Sequence, residues 1–297
     1  MRDLAELELH RARIWRLCYR MTGVAADADE LVQDTFVTAL ESSPADATRE
    51  LLPWLVTVAT NKSRDLLRKR KTRAYVGPWL PAPIEDRGDE PDVAPDARYG
   101  QAESLSYAFL IALEALTPTQ RACVILRDVL GYSVHEAAAA LAISEANLKT
   151  SHHRARAALD HYEQGKARRE VSLEEAQRAM VRFLSLISSG EVERVASLLA
   201  EDVRALNDGA GEFLAALNPL VSRDRVARFF RGVTHGVQLL GVELMVCGGL
   251  PAAKVRVSGQ APRAASLSVN LFDVNPSGEI ATIYSIVATR KLAHLGP

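Results

Sequence analysis

Seven of the twelve residues from Lys62 to Arg73 (Lys62, Arg64, Arg68, Lys69, Arg70, Lys71 and Arg73) are basic, in a chain whose net charge is only −1. Charge at this density resists burial, so the run has to lie on a surface. It continues an apolar stretch, Leu51 to Ala59, that carries Trp54. The combination predicts a helix that buries its first half and offers its second half to a polyanion. The neutral total is no obstacle, because the field that matters is local, on the scale of a Debye length of about 8–10 Å. Residues 1–60 hold ten acids and six bases, residues 61–80 one acid and seven bases, and residues 81–103 seven acids and two bases.

A length of 297 residues allows two or three domains of ordinary size. Aromatic content of 6% favours helical cores of Leu, Ala and Val over an aromatic-rich sandwich. No run approaches the roughly 18–20 apolar residues of a membrane span, and residues 1–14 carry no signal-peptide core. Cys18, Cys123 and Cys247 are far apart and form no CxxC pair. The expectation is a cytoplasmic chain without disulfides, metal site or cofactor.

Residues 1–74 read as all-helical. Leu4, Leu7, Ala12, Ile14, Leu17 and Cys18 recur at helical spacing, and Thr22-Gly23 breaks the helix. Asp27 to Leu31 opens another, with acids in its first turn, and Leu31, Phe36, Val37 and Leu40 give it an apolar stripe. Ser42-Ser-Pro ends that helix, and Pro53 fits the first turn of the next. Residues 75–104 hold five prolines and no period, and read as an extended, acidic linker that could screen the basic surface before it.

From Leu105 to about Lys166 helices return. Thr117-Pro118 starts one, Gly131 stops it, and Ser133 with Glu136 forms a capping box for the next. Ala142-Ile143-Ser144 is a tight turn into a longer helix. On that helix Leu148, Ala155 and Leu159 face inward, leaving Asn147, Lys149, Thr150, Ser151, His153, Arg154 and Arg156 outside. This is a helix-turn-helix pattern, whose second helix reads base edges in the major groove. After Ser172 the texture changes. Helices are expected at residues 172–188, 191–200 and 224–231, then antiparallel strands at 237–247, 253–257, 266–274 and 280–289, which is an α+β domain.

Tyr19-Arg-Met-Thr-Gly, Ala28-Asp-Glu-Leu-Val-Gln-Asp-Thr-Phe and Trp54-Leu-Val-Thr-Val-Ala-Thr-Asn-Lys-Ser-Arg-Asp-Leu-Leu-Arg resemble region 2 of extracytoplasmic-function sigma factors of bacterial RNA polymerase. Leu116-Thr-Pro-Thr-Gln-Arg-Ala and the segment from Leu126 to Arg156 resemble their region 4. The resemblance implies that the helix of Asp27, Asp29, Glu30, Gln33, Asp34 and Phe36 docks on the polymerase clamp, with region 4 near the flap. It implies that Asn61, Lys62, Arg64, Arg68, Lys69 and Arg70 read and open the minus-ten element. It implies that Asn147, Lys149, Thr150, Ser151, His153 and Arg154 read the minus-thirty-five element. The domains expected are region 2 at 1–74, linker at 75–104, region 4 at 105–168 and a cone-shaped, SnoaL-like α+β extension at 169–297.

Tyr75-Val-Gly-Pro-Trp-Leu-Pro looks like the linker signature of the sigma subgroup that carries such an extension. By the same resemblance Trp79, Leu80, Pro81, Asp208, Gly209 and Lys291 make interdomain contacts. Trp79 itself reads as a peg that fixes the linker on the extension rather than a plain hydrophobic anchor, because an exposed Trp among prolines is costly. Two segments depart from the subgroup. Its Asp-Gly-Gly-Gly-Lys is here Asp208-Gly209-Ala210-Gly211-Glu212, which reverses a charge, and its Asn-Pro-Asp before Lys-Leu is Ala288-Thr289-Arg290. These departures predict a weaker or differently specified contact. Asp202, Asp208, His235, Asn270 and Tyr284 are candidates to line a cavity in the extension that a small molecule could occupy; His235 beside Gly236 and Asp208 beside Gly209 also read as turn residues, and no catalysis is expected. The function expected is promoter selection for core RNA polymerase, tuned by the extension. The alternatives are a stand-alone helix-turn-helix regulator and a SnoaL-like enzyme with a DNA-binding head.

Overall fold

The structure, a computed structural model, describes residues 4–41, 50–71, 75–86, 97–166, 171–258 and 264–295. The chain forms two compact units. One is Met1–Ala74 with Gly88–Glu163, and the other is Tyr75–Arg87 with Gln164–Pro297.

The first unit is helical. Helices α1 (Leu4–Glu8), α2 (Arg11–Thr22), α3 (Ala25–Glu41) and α4 (Leu51–Lys71) come first. After the linker follow α5 (Gln101–Ser104), α6 (Tyr107–Leu113), α7 (Pro118–Val124), α8 (Val134–Leu141) and α9 (Glu145–Lys166). Gly23, at φ 65°, closes α2 with its N–H on Tyr19 O, the break that Thr22-Gly23 predicts. The segment from α2 to α4 buries Ile14, Leu17, Cys18, Met21, Leu31, Val32, Leu55 and Ala59. Capping boxes start α7 (Thr117 with Gln120) and α8 (Ser133 with Glu136). Gly131, in the left-handed region at φ 71°, stops the helical run where expected, just past its cap residue Leu130. A π-helical turn, Ile125–Val129, follows α7 and closes with Leu130 N on Ile125 O. It holds Asp128 at 2.8 Å from Nε2 of His152 on α9.

The second unit is a six-stranded sheet of order β2-β1-β6-β5-β4-β3. Its strands are β1 (Leu199–Asp208), β2 (Leu220–Val221), β3 (Gln238–Cys247), β4 (Leu250–Ser258), β5 (Leu267–Val274) and β6 (Ile280–Ile286). Helices α10 (Leu173–Ser188), α11 (Val192–Val195) and α12 (Arg223–Thr234) accompany it, and the short α13 (Thr289–Leu292) follows β6. Met180 and Phe183 of α10 and Phe230 of α12 share one core with Val203, Ala205, Ala253, Phe272 and Ile283. The α+β expectation for this domain holds. Two details differ from it. The helix expected over 191–200 stops early, because the chain turns into β1 at Leu199. And β1 pairs parallel with β6, so the sheet is mixed.

The loop between β3 and β4 is Gly248-Gly249, at φ 56° and 76°, between the paired residues Cys247 and Leu250. A two-residue turn with both φ values positive suits the twist of a hairpin and favours glycine. Gly249→Ala is expected to cost about 1–2 kcal/mol from φ alone, since open space surrounds its Cβ position. Urea unfolding of the full chain measures it.

The expected linker is not one extended stretch. Tyr75–Asp86 lies with the second unit. Asp86 accepts both turn amides, Gly248 N at 2.7 Å and Gly249 N at 2.8 Å, and Glu85 bridges Cys247. From residue 97 the chain belongs to the first unit, where Arg98 and Tyr99 both bond Glu163 of α9 and α5 has already begun. The remaining linker acids, Asp89, Glu90, Asp92 and Asp96, lie outside the described residues, as does Arg73.

Candidate nucleic-acid interface and linker clasp

Helix α4 divides as its sequence predicts: Leu55, Val56 and Ala59 are buried, while Arg68 and Lys69 are exposed and Lys62 is half-buried. Asn61 and Arg64 do not share that exposure. Arg64 is only 7% exposed, and desolvation pushes its guanidinium below its ordinary pKa. Its Nη1 donates to Leu141 O (3.0 Å) and to Asn61 Oδ1 (2.8 Å), and Asn61 Nδ2 donates to Ala140 O (2.9 Å). Arg70 is held too, by an ion pair with Asp27 and a bond to Thr22 O.

On α9 the spacing of Leu148, Ala155 and Leu159 buries one stripe and leaves Asn147, Lys149, Thr150, His153 and Arg154 exposed. Ser151 is half-buried and donates to Asn147 Oδ1 at 3.2 Å. Lys149 lies 4.0 Å from Glu145, a surface pair worth little. The helix begins just past Ala142, a non-glycine residue in the left-handed region (φ 52°). This is the turn that aims α9 away from α8.

On α3, Asp29, Glu30, Gln33 and Asp34 form an exposed face that continues to the exposed apolar side chains of Val37 and Leu40. Asp29 accepts from Trp15 Nε1 at 2.7 Å. Asp27 and Phe36 lie elsewhere. Asp27 is 1% exposed against Arg70, and Phe36 is buried with the Arg11 guanidinium 5.1 Å from its ring centre. An acid in a first helical turn can serve the interior as readily as a partner, and only the contacts tell which.

In the second unit one carboxylate organises the linker. Asp208, at the end of β1, is fully buried and accepts from Lys291 Nζ, from the Tyr75 hydroxyl, from Leu80 N (2.8 Å) and from Ala210 N (3.2 Å). Lys291, 5% exposed, also donates to Leu80 O, and its ammonium sits 4.1 Å from the Trp79 ring centre. Leu80, Pro81 and Ala82 are buried, and Pro83 O accepts from His294. Gly209 must be small, because a Cβ there would meet Ala215 Cβ at 3.0 Å and Phe213 O at 3.2 Å. The two departures from the subgroup pattern meet each other: Glu212 Oε2 accepts from Thr289 N at 3.2 Å. The reversed charge thus caps the segment that has lost its own acid.

Residues 7–73 match the family model of Sigma-70 region 2, and residues 108–159 that of Sigma-70 region 4. The chain is 29% identical over 302 residues to the ECF RNA polymerase sigma factor SigJ of Mycobacterium tuberculosis, covering 97% of this chain and 93% of that protein. It is 33% identical over 147 residues to the RNA polymerase sigma factor CarQ of Myxococcus xanthus, covering 49% of this chain and 79% of that one. The chain belongs to the ECF RNA polymerase sigma factors. The crystal structure of the M. tuberculosis sigma factor SigJ has the same fold, with a TM-score of 0.67, 24% identity and 98% of each chain covered, so the likeness includes the C-terminal extension.

As a sigma factor the protein binds core RNA polymerase and directs it to promoter DNA. The cavity expected from Asp202, Asp208, His235, Asn270 and Tyr284 does not form. Asp202 and His235 are exposed. Strand alternation puts Asn270, paired with Ser285, on the opposite face of the sheet from Tyr284. Asp208 is taken up by the linker. A hollow of about 290 Å³ lies elsewhere, lined by Phe213, Ser266, Leu267, Val287, Thr289, Leu292 and Ala293, none of which titrates. Among the described residues no helix is long and apolar enough to cross a membrane. Residues missed in the sequence are Arg20, Arg121 and the carbonyl end of α8. A buried arginine bonding an uncharged oxygen of distant chain, as Arg20 does at Ser104 and Gln101 and Arg121 at Met21 O, carries no sequence signature.

Proposed function

We propose that this sigma factor grips its promoter at two points, with the basic end of α4 on the opened minus-ten strand and the exposed face of α9 in the major groove of the minus-thirty-five element. The exposed acidic and apolar face of α3 (Asp29, Glu30, Gln33, Asp34, Val37, Leu40) docks on the clamp. The extension tunes activity by holding residues 75–83 through Asp208 and Lys291, and the protein itself performs no covalent chemistry. The observation that carries the reading is the polar row Asn147, Lys149, Thr150, His153 and Arg154, left exposed on a helix whose other stripe is buried. Side chains early in such a helix reach base edges, and flanking cations reach phosphates.

Run-off transcription with core polymerase tests it. Lys149→Ala and Arg154→Ala are each expected to weaken recognition of the upstream element by about 1–3 kcal/mol, the range of one specific contact. Trp79→Ala removes the ring under Lys291, and the amount of transcript is expected to change. Output unaltered by Trp79→Ala argues against the tuning role, and no transcript from the unaltered chain on any promoter argues against the two-point grip.

A further inference from the structure

Four large apolar side chains of β3 lie open: Leu239 at 50%, Leu240 at 63%, Val242 at 43% and Leu244 at 54% exposure. Their neighbours on β4 are covered. Leu244 pairs with Ala253, fully buried in the core, and Val242 pairs with Val255, which packs against that core. The helix layer explains the difference. Helix α10 packs on β4 and β5 and leaves β3, the outermost strand, uncovered. Together the four side chains expose roughly 400 Å², a size that on a globular protein marks a contact surface.

β3 is also an edge. Asp86 N bonds Val246 O at 2.8 Å and Glu85 bridges Cys247, so the linker occupies this edge at its hairpin end. Among the described residues nothing else bonds it. Backbone groups alternate in direction along a strand, so Leu244 and Val242, like Val246, turn their N–H and C=O groups outward. The open stretch runs from the bulge between Leu239 and Gly241 to Met245, with Val242 at its middle. We propose that two copies of this chain pair here, β3 antiparallel to β3, about a twofold axis at Val242.

The sheet itself selects a second copy. Its other edge is β2, only two residues long, so sheets cannot continue head to tail, whereas β3 on β3 closes at two. The pairing brings Val242 against its own copy and adds the apolar rows of both strands to one face. Charge is compatible with it. Glu243 is the single charged residue from Leu239 to Met245, and it lies 3.7 Å from Lys254 of its own chain. In this register it stands opposite Gly241 of the partner subunit, so no like charges meet. The open side chains of two copies come to roughly 800 Å², and the paired backbone brings the total to about 1,000–1,200 Å², a small specific interface.

Sedimentation velocity on the full chain from about 1 to about 100 μM tests the pairing. The mass is expected to double across that range, with a dissociation constant on the order of 10 μM for an interface of this size. Val242→Lys puts a charge on the edge and is expected to raise that constant at least about tenfold. Its melting temperature at the lowest concentration should match that of the unaltered chain, since the side chain is on the surface. Val242→Cys reads the geometry. Residues opposite each other in a hydrogen-bonded antiparallel pair have Cα atoms about 5.5 Å apart, within reach of a disulfide. Mild oxidation is expected to give a covalent dimer from Val242→Cys and none from Ser188→Cys at the exposed end of α10. Cys18, Cys123 and Cys247 are buried, with Cys18 and Cys247 pushed up to about 12 and Cys123 to about 11 by desolvation, so they stay reduced. A chain that stays monomeric throughout overturns the proposal. If core polymerase then protects the Val242 and Leu244 amides from hydrogen exchange, the edge belongs to polymerase instead. A dimer that survives Val242→Lys, or crosslinks equally at Ser188→Cys, forms elsewhere on the molecule and overturns it as well.

Discussion

Lys291→Met is expected to lower the stability of the C-terminal unit by about 3–5 kcal/mol. The substitution keeps the length of the side chain and removes its charge. Asp208 then stays fully buried as a carboxylate without its cation, and Leu80 O loses a donor. The amide of Leu80, the amide of Ala210 and the Tyr75 hydroxyl remain on the carboxylate but carry no full charge. Removing one member of a buried pair costs far more than replacing both. The double change Asp208→Asn with Lys291→Met should therefore recover part of the loss. Urea unfolding followed by circular dichroism measures both. Proteolysis between residues 75 and 86 should accelerate in the single variant, because the same ammonium holds the linker backbone. A loss below about 1 kcal/mol would mean that water replaces the cation.

Arg68→Glu combined with Lys69→Glu is expected to weaken promoter opening by at least about tenfold. The salt dependence of binding to the opened strand should become shallower by about 1.4 in slope, about 0.7 for each single-strand phosphate left without its cation. Both side chains are exposed, and the Arg68–Asp65 pair at 3.4 Å lies on the surface, so folding should be almost unaffected. The weakening should be similar on all promoters, since bonds to the DNA backbone carry no sequence information. Binding unchanged from low to high salt would take this end of α4 off the DNA.

What the sequence made legible was whatever is written locally. The capping boxes at Thr117 and Ser133, the stop at Gly23 and the buried stripe of α9 each follow from a few neighbouring residues, and the structure has them in place. The contacts that stayed unread were those made by distant chain. The start of β1 looks helical as far as Ala200 because its strand character comes from pairing with β6, some eighty residues later. The resemblance puts Asp27 and Phe36 on the docking face, and only the contacts with Arg70 and Arg11 show them turned inward in the free chain. Arg64 is the sharpest case. Its charge and position in a basic run point to DNA, and nothing in residues 51–71 indicates that the end of another helix, nearly eighty residues on, would claim it.

The seating of Asp86 on Gly248 and Gly249 sets a leash. Between Lys71, the last residue of α4, and Gln101, the first of α5, the covalent path is thirty residues long. With Tyr75 to Asp86 on the extension, the covalent links outside that stretch are the four from Lys71 to Tyr75 and the eleven from Asp86 to Ala97, which cannot span more than about 14 Å and about 40 Å. A carboxylate on a glycine turn therefore sets where the anchored stretch ends, and unfastening it would lengthen the free covalent path by only the few links back to Pro83, which His294 holds.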